Sequence, residues 1–124
     1  QLLFDESEEF GFHKGLGVLK GRVRRFPHDL SDGGERAKVP HMGWNRICKA
    51  KETPVLAEVP DGSYVYFVHS YYPVPEEADV VATTTEYGFP FASSVARGNL
   101  FACQFHPEKS QKVGLAFLDR FVSH

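Results

Sequence analysis

The chain has 124 residues, 14 of them basic and 16 acidic, for a formal net charge of −2, with 42% hydrophobic and 24% charged residues. This is the balance of an ordinary globular domain, with material for one modest core and too little for two full domains. No apolar run reaches the roughly 20 residues of a membrane span, no basic-then-apolar leader opens the chain, and near-neutral charge removes the electrostatic case for a dedicated nucleic-acid binder. The first residue is Gln1, the single methionine is Met42, and Gln1-Leu2-Leu3-Phe4 reads as the inside of an element. We therefore expect the rear part of a longer protein.

In chain order, residues 1–10 read as the body of a helix, with Leu2 and Leu3 on one side and an acidic run, Asp5 to Glu9, behind them. Acids near a helix C-terminus oppose its dipole, so the run calls for solvent or for a functional reason at Glu9. Val18 to Phe26 alternates apolar and basic residues, the pattern of an exposed strand with a basic outer face. Residues 27–39 are polar and Gly-rich and predict a loop. Gly43 to Cys48 is a short strand candidate. Tyr64 to Val68 is an unbroken β-branched and aromatic run, the composition of a strand buried on both faces. Asp79 to Tyr87 and Phe91 to Ala96 follow as strands, and Gly98-Asn99 predicts a tight hairpin turn into Leu100 to Phe105. From Ser110 to Val122, Val113, Phe117 and Phe121 recur at helical spacing, an amphipathic helix N-capped by Ser110. The order is helix, strands, helix, which suits part of an α/β or α+β domain.

Cys48 and Cys103 are far apart, form no C-x-x-C pair and lie in strand-like runs where small buried thiols are common, which favours a reducing cytoplasm. None of the six histidines forms a helical zinc pair, so neither metal nor other cofactor is expected. His106-Pro107-Glu108 matches half of a zinc deaminase motif, but the P-C-x-x-C half is absent.

The sharpest feature is Gln104-Phe105-His106-Pro107-Glu108-Lys109-Ser110, between a strand and a helix, where side chains project past a sheet's edge. Pro107 fixes the backbone between an imidazole and a carboxylate, so Glu108 can hold one tautomer of His106 and stabilise its charged form. Taken alone, a His and Glu two apart also serve as capping and surface residues.

The surrounding segments resemble a known family. Phe105-His106-Pro107-Glu108 resembles the His–Glu motif of class I, triad-type glutamine amidotransferases. Pro40-His41-Met42-Gly43-Trp44-Asn45 is similar to the P-H-M-G-W-N signature of the imidazole glycerol phosphate synthase glutaminases, and Phe67-Val68-His69-Ser70-Tyr71 to their F-V-H-S-Y strand end. Gln1-Leu2-Leu3-Phe4 with Ser7-Glu8-Glu9 resembles the helix that follows the nucleophile in G-x-C-L-G-M-Q. The resemblance covers the whole chain, 1–124, as the C-terminal portion of one amidotransferase domain. It implies a flavodoxin-like α/β fold with added antiparallel strands and flanking helices. By the same resemblance His106 is the general acid/base and Glu108 its orienting carboxylate. Gln1 and Glu9 hold the polar head of glutamine, and the backbone around His69, Ser70 and Tyr71 hydrogen-bonds the same substrate. Trp44, Asn45 and Lys109 face a (β/α)₈ synthase subunit, which uses the released ammonia in histidine biosynthesis. Each has a plainer alternative: Trp44 as core, His69 as a satisfied structural histidine, Tyr71-Tyr72 as rim packing. The nucleophilic cysteine of the motif would lie ahead of Gln1, so this polypeptide alone is expected to release no glutamate. Cys48 and Cys103 are poor substitutes. Other class I glutaminases, of the anthranilate or aminodeoxychorismate synthase type, fit Pro40 to Asn45 less well. A binding or regulatory module without a nucleophile is the non-enzymatic alternative.

Overall fold

Alternating burial and paired backbones organise most of the chain. In a computed structural model that describes residues 4–7, 13–14, 19–27, 31–32, 35–36, 38–97 and 100–123, the strands begin with β1 (Phe4–Ser7), β2 (His13–Lys14), β3 (Leu19–Arg25), β4 (Ser31–Asp32), β5 (Glu35–Arg36) and β6 (His41–Arg46). They continue with β7 (Cys48–Lys49), β8 (Tyr64–His69), β9 (Tyr71–Pro75), β10 (Val81–Glu86), β11 (Pro90–Arg97) and β12 (Leu100–Cys103), and a helix follows, α1 (Gln111–Ser123). One sheet has the order β2-β1-β3-β9 and another the order β12-β11-β10-β7. Two antiparallel ribbons, β4-β5 and β6-β8, complete the strands among the described residues. The β1–β3 ladder is parallel and the others are antiparallel.

The helix expected over residues 1–10 is not what forms at Phe4–Ser7. That segment is β1, with Ser7 opposite His13 on one side and Val23 on the other. A helix of about ten residues carries a costly nucleus and needs a packing face, whereas two neighbouring strands satisfy the same backbone directly. Gln1, Leu2, Leu3, Glu8 and Glu9 lie outside the described residues. Among the described residues the helical order is thus one α-helix after the strands, rather than one at each end.

Strand β3 alternates as expected: Val23 is buried while Arg22 and Arg24 point outward. The loop expected over 27–39 contains the β4-β5 ribbon, where Asp32 pairs with Glu35. Strand β8 is not buried on both faces. Val65, Phe67 and His69 are buried while Tyr64 is exposed and Tyr66 and Val68 are half-buried, because only the ribbon's inner side meets the core. A 3₁₀ turn, Ala78–Val80, occupies the front of the strand expected from Asp79. Arg97 pairs with Leu100, the register of the expected hairpin, whose tip at Gly98 and Asn99 lies outside the described residues.

The main core joins Phe26, Ile47, Leu56, Val65, Phe67, Ala82, Phe91 and Phe105, and α1 closes it with Val113 and Leu118. Phe26 is its aromatic centre, with ring centroids 4.9 Å from Tyr72, 5.2 Å from His69 and 5.5 Å from Phe91. Strand β8 ends in this core, and the chain turns at Ser70, whose carbonyl accepts the N–H of Phe26 at 3.0 Å. Residues 69–71 are therefore a corner, buried at His69 and half-buried at Ser70 and Tyr71, joining the β6-β8 ribbon to the first sheet. No described helix is long and apolar enough to cross a membrane.

Candidate active site

Beyond β12 the chain leaves its sheet through Gln104, whose N–H donates to the Ser93 carbonyl, and buried Phe105. His106 keeps extended backbone angles, and Pro107 opens a 3₁₀ turn, Pro107–Lys109, at the position where proline's missing N–H costs nothing. Tyr66 of β8 grips this turn from both sides. The His106 N–H donates to the Tyr66 carbonyl at 2.9 Å, and the Tyr66 N–H donates to Ser110 Oγ at 3.0 Å. Ser110 Oγ in turn donates to the His106 carbonyl at 2.7 Å. Ser110 stands at the expected N-cap position, with its carbonyl accepting the Gly114 N–H at 3.2 Å, but its buried hydroxyl fastens the turn to β8 instead. Helix α1 packs so tightly on the turn that a Cβ at Gly114 would stand 1.8 Å from the Pro107 carbonyl oxygen.

On this clamped backbone His106 Nδ1 lies 2.8 Å from Glu108 Oε1. Glu108's own backbone N–H, and then the His106 side chain, hold its carboxyl below the usual carboxylate range. The ionised oxygen accepts the Nδ1–H of His106, which leaves Nε2 as the proton-exchanging nitrogen. The side chains are 36% and 59% exposed, so the pair faces solvent rather than the core. An imidazole held in this way by a carboxylate has the geometry that the orienting half of a nucleophile–histidine–acid arrangement requires.

Neither described thiol suits the nucleophile's role. Burial, and then the charge of Glu108, push Cys103 up to about 12, and its S–H donates to the Phe105 carbonyl at 3.4 Å. It stays protonated at neutral pH. Cys48, expected to be buried, is exposed at the edge of its sheet, and both thiols are free.

His69, Ser70 and Tyr71 form the corner described above, in the same β8 that carries Tyr66. His69 is 6% exposed, and its Nδ1 donates to the Tyr71 carbonyl at 2.8 Å. Its pKa falls to about 4: burial lowers it, the bond to Tyr71 opposes this, and the nearby His106 lowers it further. His41, directly opposite in the ribbon and 4% exposed, is lowered to about 4 by burial and then by His69. Its ring is stacked between Tyr87, at 3.9 Å, and Phe67, at 4.8 Å. Sequence reasoning missed His41 as more than a letter of the signature. A paired partner 28 residues away leaves no local periodic signal.

The outer face of the ribbon is largely apolar, with Arg46 at one end. Met42 is 62% exposed, Trp44 47% and Tyr64 57%, so Trp44 is not core. Trp44 meets the Tyr66 ring edge-on at 5.9 Å, and Lys109 Nζ sits 5.8 Å from the same ring's centroid. Tyr66 thus connects Trp44 to Lys109, a role that its place in an alternating strand could have suggested. Asn45 is turned the other way, with its amide donating to the Glu86 carbonyl at 2.8 Å and meeting His41 at 3.3 Å. Gln1 and Glu9, the other expected glutamine-binding residues, lie outside the described residues.

Comparison with known proteins places this geometry in a family. The family model of glutamine amidotransferase class-I matches residues 1–124. The chain is 57% identical over 121 residues to the imidazole glycerol phosphate synthase subunit HisH of Syntrophotalea carbinolica, covering 98% of this chain and 59% of that protein. It is 51% identical to the HisH subunit of Geobacter sulfurreducens and 55% identical to that of Geobacillus thermodenitrificans, covering 98% of this chain and 58% and 56% of those proteins. The chain therefore spans well under two thirds of these relatives. A solved Thermoplasma acidophilum structure, described as a GMP synthase subunit, superposes with a TM-score of 0.62 at 17% identity. It covers 83% of this chain and 47% of that one, a likeness of fold in the α/β class. The chain belongs to the class I glutamine amidotransferase family.

Proposed function

We propose that these residues are the C-terminal portion of a glutaminase domain that hydrolyses glutamine to glutamate and ammonia and passes the ammonia to a synthase subunit making imidazole glycerol phosphate. The observation that carries this reading is the His106–Glu108 pair, fixed at 2.8 Å on a turn clamped to β8. The name and extent of the HisH relatives support the particular synthase. In this reading the attacking thiol is the cysteine that the resemblance to G-x-C-L-G-M-Q places ahead of Gln1.

The thiolate attacks the side-chain amide carbon of glutamine, and the electron pair of the C=O moves to oxygen. As the tetrahedral adduct collapses, protonated His106 gives its Nε2 proton to the departing amide nitrogen and ammonia leaves. Neutral His106 then takes a proton from water as the oxygen attacks the thioester, and the thiolate departs with glutamate released. Glu108 keeps the imidazole in the tautomer that both steps need. The backbone of 69–71, at the end of the strand whose Tyr66 carbonyl accepts the His106 N–H, and the residues Gln1 and Glu9 hold the substrate's polar head. The exposed Met42, Trp44 and Tyr64, with Lys109 at their edge, form the face that meets a (β/α)₈ synthase subunit. Free thiols at Cys48 and Cys103 accord with a cytoplasmic setting.

The test uses the full-length protein assembled with its synthase partner and follows glutamate release. We expect His106→Asn to lower kcat by ~10³-fold while synthesis from added ammonia persists. Undiminished glutamate release by this variant would overturn the assignment.

A further inference from the structure

Hydrogen-bond directions across the β6-β8 ribbon follow from one fixed acceptor. The Tyr71 carbonyl only accepts, so His69 Nδ1 carries a hydrogen and its Nε2 carries a lone pair. His41 Nδ1, 3.0 Å from that Nε2, must then be the donor. This leaves His41 Nε2 as an acceptor, and the Asn45 amide nitrogen stands 3.3 Å from it. The same amide donates to the Glu86 carbonyl, while Asn45 Oδ1 accepts the N–H of Arg46 at 2.8 Å, so the orientation of the amide is fixed twice over. Each of these side-chain atoms between Asn45 and Tyr71 has one role, and the bonds run in one direction from β6 to the corner.

We propose that His41 is a positioning residue for the glutamine site, holding the Tyr71 carbonyl and with it the 69–71 backbone in register beside His106 through the directed relay Asn45–His41–His69–Tyr71. The proposal rests on the glutaminase reading above, which assigns that corner to the substrate. The relay starts on the strand whose other face carries exposed Met42 and Trp44, so it also joins the partner-facing strand to the substrate corner. Burial keeps both rings neutral at pH 7, which preserves the directions. Stacking of His41 between Tyr87 and Phe67 fixes the plane of its ring.

The test has two arms, both on the full-length protein in its synthase complex. Nitrogen-15 NMR of the wild-type histidines at pH 7 is expected to give His41 and His69 as Nδ1–H tautomers, with a scalar coupling between His41 Nδ1 and His69 Nε2. In steady-state assays, His41→Phe is expected to raise the KM for glutamine about tenfold with kcat much less affected, because His69 Nε2 loses its donor. His41→Asn, which can keep a donor near the Nδ1 position, is expected to stay within about twofold of wild type. An Nε2–H tautomer at either histidine, an unchanged KM in His41→Phe, or equal impairment of both variants would overturn the proposal. Where His41→Phe does not fold, the wild-type tautomers decide it. Absence of glutamine turnover in the wild-type complex would overturn the underlying glutaminase reading instead, whatever the tautomers.

Discussion

His106 with Glu108 and His41 with His69 are two imidazole pairs of similar length, 2.8 and 3.0 Å, in opposite surroundings. The first faces solvent and sets an ionised carboxylate against the ring, which fixes the ring's Nδ1 as the donor. The second lies within Phe26, Phe67, Tyr87 and Phe91, with another ring as partner, and burial drives both members away from protonation. A histidine's role here therefore follows from the charge of its partner and its access to water, not from residue type or from the presence of a hydrogen bond.

Acid should break the buried pair first, and by the largest margin. Both histidines sit near 4 in the fold against an ordinary value of about 6.5, so the unfolded chain binds more protons between those limits. Their contribution is complete above about pH 6.5 and is lost as pH falls toward 4. We expect ~3 kcal/mol of stability to disappear between pH 6.5 and 4.5. Denaturant titrations of wild type and of a His41→Gln/His69→Gln double variant would measure it, the double variant giving a much flatter pH profile. A wild-type profile no steeper than the variant's would contradict the lowered values.

The exposed pair is sharpened by Glu108→Gln, which preserves shape and removes the charge. Glutamate release should fall about 10²-fold in kcat with little change in melting temperature, because a neutral amide no longer favours the charged ring and can present its own N–H to Nδ1. A smaller effect comes from Gly114→Ala, which touches neither pair. The added methyl meets the Pro107 carbonyl, so α1 and the turn must separate, costing about 2 kcal/mol by thermal or denaturant unfolding. In the same variant glutamate release should fall while the His41–His69 NMR signature stays as in the wild type.

Much of the candidate site was legible in the sequence because it is local: His106, Pro107 and Glu108 are consecutive, and proline leaves few ways to arrange the other two. The positions of several strands from Gly43 onward were legible from composition and turn residues, whereas Tyr71–Pro75 was not, because its pairing partner is β3, far earlier in the chain. Phe4–Ser7 misled because a short apolar–acidic run has no period of its own, and its state is set by β2 and β3. Ser110 looked like a helix cap because capping is what a serine before a helix does locally, whereas its hydroxyl is claimed by Tyr66, 44 residues away. The His41–His69 pair was illegible because it depends on ribbon register, which no short window contains.

The alternation of β6 has a consequence for how such a surface can change over time. Met42, Trp44 and Arg46 face outward, while His41 and Asn45 serve the interior. Outward positions can be exchanged one by one without altering the inward wiring. Insertion of a single residue would instead swap the two faces, burying the outer side chains and exposing the histidine. Divergence in this strand is therefore open to substitution and closed to changes of length.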